Sequence, residues 1–374
     1  MRGPHPATLK PRPAPLPAGH AEVVPPPCSH GGGTGEERAR EGAPRGSPDT
    51  DTSHSHEPVP YLESPGVYRI DLVWNGLPGQ VAAYLVDGGD GLAVVETGPT
   101  STLPAVLGAI REIGRAPEDV THLLVTHVHL DHAGGAGALL RHTPHARVYV
   151  HPRGAPHLLD PSRLIASATQ LYGQDRMDAL WGEMVPVPED RLVVLHDGDE
   201  VPIGTRRLRA VDTPGHAVHH HAYHDPDAGL VFTGDVGGIR LERQPYVCAP
   251  TPPPDIDLGA WRESIRRLRA LKPAMLLPTH FGGVDDPEWH LDDLARRLDG
   301  WARWTGEQAA SGAGPAALAD ALARRATADI IAATGSEAAA RAYELAVPYP
   351  MVAAGLERWW KKHGHAASEA GDRA

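Results

Sequence analysis

Short apolar runs recur along the middle of this chain, most of them followed within a few residues by Gly, Pro, Asp or Asn. Residues 67–74 and 81–86 alternate or run apolar as paired strands do, Gly88-Gly89-Asp90-Gly91 is a turn, and Leu92-Ala93-Val94-Val95 is a buried third strand. Residues 103–113 have helical spacing, with Ser101 as the expected N-cap. Residues 120–125 then form a strand, 137–142 a helix and 147–150 another strand, while 161–180 read as one or two short helices inserted between strands. Residues 192–195, 200–203 and 207–211 are predicted strands of a second sheet, followed by a hairpin of 219–224 and 230–232. A stiff Pro-rich loop at 250–254, an amphipathic helix at 261–271 and a last strand at 275–277 complete the series. Strands followed by helix, repeated twice, suit an α/β (α+β) fold of two packed sheets with helices outside. After His290 the strand signals stop and the chain turns Ala- and Arg-rich. Helices are predicted at 291–304, 316–326, 336–345 and 351–362.

Residues 1–57 carry no periodic apolar pattern and are rich in Pro, Gly, Ser and His, so they cannot offset their ordering entropy by burial. The expected organisation is a disordered tail over 1–57, a folded domain over 58–290 and a helical extension over 291–374. Deleting residues 1–57 is expected to leave the melting temperature unchanged; a large drop would show that the tail belongs to the fold.

Composition narrows the function classes. The 374 residues are 41% hydrophobic and 22% charged, which suits a soluble globular protein, and no apolar run approaches the roughly 18 residues a membrane span needs. The formal net charge of -12 argues against a nucleic-acid-binding surface. Two cysteines, Cys28 and Cys248, cannot build a disulfide framework, and no apolar segment at the N-terminus reads as a secretory signal, so a cytoplasmic location is expected.

The chemistry concentrates in His127-Val128-His129-Leu130-Asp131-His132, directly after an apolar strand. Extended backbone throws His127 and His129 to one side; Asp131 is expected to continue that alternation and His132 to begin the next turn. Imidazoles and carboxylates are the donors that a borderline divalent ion prefers. Three further groups sit just past apolar runs: Thr213-Pro214-Gly215-His216, Thr233-Gly234-Asp235 and Pro278-Thr279-His280. A chain with 23 His will cluster some by chance. Four groups in order, each at a strand end, are a different matter.

This set resembles the metallo-β-lactamase superfamily over roughly residues 61–290, with an unchanged H-x-H-x-D-H signature. The resemblance implies an αββα metallo-β-lactamase sandwich. His127, His129 and His216 would hold one metal ion, Asp131, His132 and His280 a second, and Asp235 would bridge them. Two zinc ions are the first expectation, with iron or manganese fitting the same ligands. The implied activity is hydrolysis of a small-molecule ester, lactone or thioester by a hydroxide shared between the ions, with Asp131 orienting it and shuttling a proton.

The chain departs from the family at Glu96, where members usually place Asp; Glu96 is one methylene longer and is expected to support the metal loop from behind. His220 occupies the place of a further supporting histidine. On a strand, His219 and His221 would share the face opposite to it. Tyr246 or Tyr223 could polarise a carbonyl, though packing is the plainer role for each. Residues 161–180 are expected to pack, or to form a flap over the site.

Two other readings stand beside the hydrolase. One is a mononuclear iron thiol or persulfide dioxygenase using His127, His216 and Asp235. The other is a non-catalytic metal-binding scaffold, against which the complete ligand set argues. The expected partner is a small-molecule substrate, with neither nucleic acid nor membrane. The C-terminal apolar stripes are expected to serve packing or a homodimer contact.

Overall fold

The computed structural model describes residues 59–371, with side chains through His363. The tail over 1–57, with Cys28, lies outside the described residues. The first sheet runs in chain order: β1 Tyr61–Ser64, β2 Val67–Asp71, β3 Ala82–Asp87, β4 Leu92–Val95, β5 Val120–Leu124, β6 Arg147–Val150 and β7 Leu192–Val194. It is antiparallel through β4 and parallel from β4 to β7. The second sheet has the order β12-β11-β10-β9-β8, built from β8 Glu200–Ile203, β9 Arg206–Asp212, β10 His221–Asp225, β11 Leu230–Phe232 and β12 Met275–Leu277. Its β12 lies parallel to β11 and the other pairs are antiparallel.

The strands show why two sheets must stack. In β3 every residue but Asp87 is buried, because the strand is covered on both faces. Ala82, Tyr84 and Val86 join Leu208, Tyr223 and Phe232 of the second sheet in an inner layer, while Ala83 and Leu85 face outward against helix α1, Leu103–Glu112. The second sheet presents Ala222, Val231 and Leu276 to helices on its other side. Helix, sheet, sheet and helix therefore stack in four layers, as the apolar pattern predicts.

Between β5 and β7 the chain makes α2 Leu130–Ala133, α3 Ala136–Leu139, α4 Ala155–Leu159, α5 Ser162–Tyr172 and α6 Gln174–Arg176, then a π turn at Met177–Trp181. It returns beside β6, so β7 joins the first sheet and not the second. Periodicity reports which faces of a strand are buried, not which strand it pairs with. Ser101 is not a cap either. Its hydroxyl donates to the Leu180 carbonyl at 2.6 Å, tying the inserted segment to the body of the fold, and α1 follows a 3-10 turn at Thr100–Thr102. The strand predicted over 67–74 ends at Asp71, whose carboxylate accepts from the Val73 and Gly79 amides and turns the chain.

Helix α7, Leu258–Ala270, is capped by Asp257, which accepts from the Ala260 amide. After β12 come α8 Pro287–Ala310, α9 Pro315–Thr334, α10 Glu337–Ala346 and α11 Tyr349–Gly371. These helices share one core with α7 and the outer face of the second sheet. Tyr343 donates to the Tyr246 carbonyl at 2.6 Å and accepts from the Leu241 amide. Gly355 of α11 lies so close to the loop at 250–254 that a Cβ there would come within 1.9 Å of the Thr251 carbonyl oxygen. Gly355→Ala is expected to cost about 1–3 kcal/mol by overpacking, read from urea unfolding; an unchanged midpoint would show that α11 sits loosely on the loop. Among the described residues no helix is long and apolar enough to cross a membrane.

Candidate metal centre

Strand β5 delivers the first histidines. The chain leaves it at Leu124, and Thr126 to His129 form a loop before α2. Asp131 therefore does not continue the strand alternation. It sits with His132 in the single turn of α2, which brings both round to face the same site. A helical turn aims consecutive side chains about 100° apart, so one short motif can serve two neighbouring sites.

The predicted residues converge. His127 Nε2 is 2.9 Å from His129 Nδ1, and His216 Nε2 is 3.0 Å from the same atom. On the other side, His132 Nε2 and His280 Nε2 lie 3.6 and 3.4 Å from Asp131 Oδ2. Asp235 sits between the two sets. Its Oδ2 is 3.3 Å from His216 Nε2, and its Oδ1 is 3.1 Å from His132 Nε2 and 3.3 Å from His280 Nε2. Three groupings close enough to hold an ion follow: His127, His129 and His216; His127, His132 and Asp235; Asp131, His132 and His280.

Electrostatics divides the cluster in two. Burial pushes His127, His129 and His216 below the usual histidine range, so their ring nitrogens are neutral donors. Burial acts the same way on His132 and His280. There the carboxylates win: Asp235, Asp131 and Glu96 draw His132 well above its ordinary value, and Asp235 and Asp131 draw His280 up to about 10. Burial would raise Asp131, yet His132 and His280 hold it at about 2. Carboxylates that attract protons this strongly attract a divalent cation by the same field. His132 Nε2 and Asp235 Oδ1 are buried without a hydrogen bond inside this ring of donors. The donor set and its orphaned atoms fit metal ions.

Glu96 lies behind the donors. Glu96 Oε1 accepts from the Thr126 hydroxyl at 2.5 Å and the Thr279 hydroxyl at 3.2 Å, and lies 3.1 Å from His132 Nδ1. Glu96 itself holds a left-handed backbone, φ 64°. Gln80 and Pro250 carbonyls accept from His280 Nδ1 and His216 Nδ1, which turns each Nε2 toward the site. Asp235 depends on Gly234, whose φ is +50° and where a Cβ would meet Thr126 Oγ1 at 2.5 Å and His220 Nε2 at 2.6 Å.

His219 and His220 precede β10, so the alternation expected for them does not apply. Each of the three consecutive histidines goes a different way. His220 lies behind the site, against Thr213 Oγ1 at 2.8 Å and the Val236 amide. His219 turns toward the cavity, with its ring 5.9 Å from that of His129. His221 faces away and meets Asp212 Oδ1 at 2.7 Å, with His151 Nε2 3.6 Å from the same oxygen. Burial holds His151 down to about 4. Periodicity gives no hint of this second cluster, because its members come from just past β6, from β9 and from β10.

The tyrosines singled out above do not reach the site. Tyr223 is buried between the sheets, donating to the Val125 carbonyl, and Tyr246 is buried in the helical core beside Tyr343. Cys248 is buried, and burial pushes its thiol up. The phenol near the site is Tyr172 of α5, which lines a cavity of about 330 Å³ with His129, Asp131, His216, Asp235 and His280 at its floor. The inserted segment is thus both packing and cover.

The metallo-beta-lactamase superfamily model matches residues 76–280. The chain belongs to that superfamily. The metallo-beta-lactamase fold-containing protein ST1585 of Sulfurisphaera tokodaii is 30% identical over 184 residues, covering 48% of this chain and 67% of that one. Thioesterase pkgB of Emericella nidulans is 29% identical over 197 residues, 53% of this chain and 44% of its own length, so this chain spans under half of that relative. The crystal structure of a metallo-beta-lactamase family protein from Thermus thermophilus aligns with a TM-score of 0.54 and 25% identity, over 65% of this chain and 83% of the other.

Proposed function

We propose that this superfamily member is a hydrolase with two metal ions, acting on an ester, lactone or thioester of a small molecule. Asp235 carries the reading: one carboxylate oxygen faces His216, a member of the neutral trio, and the other faces His132 and His280. A carboxylate has two oxygens and can hold two cations. His127, His129 and His216 would hold the first ion, and Asp131, His132 and His280 the second. Seven donors exceed what one tetrahedral ion can use, which favours a pair. Zinc suits this mixture of imidazole and carboxylate, and iron and manganese accept the same donors. When bound, the ions would supply Lewis acidity and a water acidified to neutral pH.

The chain's own residues do the rest. Asp131, with 23% of its side chain exposed against 6% for Asp235, is the more open carboxylate of the cavity floor; it can orient a water and take its proton. Glu96 and His220 hold the loops that aim the ligands. The walls from α5 and the proline loop at 250–254 keep bulk water from the reacting atoms. The name thioesterase borne by one relative is in keeping with acyl transfer to water.

Metal analysis of the full chain purified from its native host, with oxygen uptake on glutathione persulfide, tests the reading. Two ions per chain, no oxygen uptake, and ester or thioester hydrolysis lost on chelation and restored by zinc are expected. One iron with oxygen uptake would replace the hydrolase by the dioxygenase built on His127, His216 and Asp235. Bound metal with neither activity would leave a scaffold.

A further inference from the structure

We infer that the C-terminal helices build one wall of the substrate cavity, and that the cavity takes a medium-length apolar acyl chain. This rests on the hydrolase reading for its reaction and deepens it by naming the substrate class. The floor of the cavity is the metal centre, but its sides come from elsewhere. One side is α5, presenting Ala168 and Tyr172. The opposite side is the corner between α10 and α11, presenting Ala346, Val347, Met351 and Val352. The two meet where the Tyr172 hydroxyl comes 3.7 Å from Met351 Sδ. The proline loop at 250–254 forms the third side, and α11 fixes it: the Thr251 hydroxyl donates to the Val352 carbonyl at 3.1 Å, and Gly355 packs directly on Thr251. The helical extension is therefore continuous with the site through two of its three walls.

The chemistry of those walls selects the ligand. Above the floor the lining is mainly aliphatic, aromatic and thioether; His157, Ser167, His219 and Thr251 are its polar groups, and Arg163 and Asp255 its charged ones. A small polar substrate would leave that surface wet, whereas an alkyl chain attached to the reacting carbonyl would displace its water while the carbonyl sits over Asp131 and Asp235. A cavity of about 330 Å³ lies at the small end of ligand pockets, so the chain is of medium length. Each methylene buried there should raise kcat/KM about fourfold, until the cavity is full.

The test uses the metal-loaded full chain with p-nitrophenyl acetate and p-nitrophenyl octanoate, and calorimetric titration with sodium octanoate and sodium acetate. Ala346→Phe and Met351→Trp each fill the cavity from the α10–α11 side, and melting temperature and metal content report whether each variant is intact. The expected result is a fall of at least about tenfold in kcat/KM for the octanoyl ester, with the acetyl ester within about twofold, and octanoate binding weakened in step. Equal changes for both esters in an intact variant would overturn the inference, as would octanoate binding the wild type no more tightly than acetate. If the wild type turns over neither ester, the hydrolase reading suffers and the titrations alone decide the cavity: octanoate binding that Ala346→Phe removes upholds the apolar wall, and octanoate binding no tighter than acetate overturns it.

Discussion

Asp235→Asn is expected to lower turnover of an ester or thioester by about 10²–10³-fold and to weaken the second ion more than the first. The amide keeps the shape of the side chain and its place beyond Gly234, but it removes the charge and one of the two acceptor oxygens. Oδ1 faces His132 and His280, and Oδ2 faces His216, so an amide can serve one set at the expense of the other. The first site retains three imidazoles without Asp235; the second retains His132, His280 and Asp131. His127→Ala or His216→Ala should instead empty the three-imidazole site. Metal stoichiometry and turnover of the purified variants give the answer. Two tightly held ions with near-normal activity in Asp235→Asn would falsify the bridging role and reduce Asp235 to a residue that caps its turn.

The second large effect is expected at Glu96. Its buried carboxylate accepts from Thr126 and Thr279 and faces His132 Nδ1, so it joins the end of β5, the end of β12 and helix α2 at one point. Glu96→Ala removes the acceptor of two buried hydroxyls and the carboxylate facing an imidazole nitrogen; Thr126 keeps only His127 Nδ1, at 3.1 Å. The expected cost is about 3–5 kcal/mol, as for breaking a buried charged pair from one side. The second ion should be lost with it, because His132 is no longer held in its tautomer and orientation. Urea unfolding of the chelated protein isolates the structural part, and metal analysis of the untreated protein isolates the effect on His132. Near-wild-type stability with two ions bound would show that Thr126, Thr279 and His132 find other partners. Glu96→Asp separates reach from charge: the carboxylate withdraws by one methylene, so a loss of the second ion at little cost in stability would mean that length is what this chain selected.

Much of the fold was legible in the chain because burial leaves its period in the sequence. β3, β4 and β5 read as apolar runs since both of their faces are covered, and α7 reads as amphipathic since one face meets the second sheet. Periodicity assigns β7 to the wrong sheet because a strand's partners are chosen by the path of the inserted helices, which periodicity does not record. Ser101 looked like a cap on spacing alone; its hydroxyl had a better-placed acceptor at Leu180, far away in the chain.

For the site, the residue types and their spacing point to His127, His129, Asp131, His132, His216, Asp235 and His280 because each lies within a few residues beyond the end of a strand. Chemistry that needs several side chains on one ion can be carried by short motifs, and short motifs survive in linear sequence. Three things were decided only in three dimensions. Asp235 lies between two sets of donors because β11 and β5 come from different sheets that meet at that edge. His219, His220 and His221 part company because the turn before β10 sends one to the cavity, one behind the site and one to Asp212. The α10–α11 corner lies opposite α5 because the helices after residue 287 fold back over the second sheet and share its core. Sequence periodicity encodes what each element buries; the contacts between elements distant in the chain depend on how the packed layers bring their ends together, and those contacts shape the cavity above the ligands.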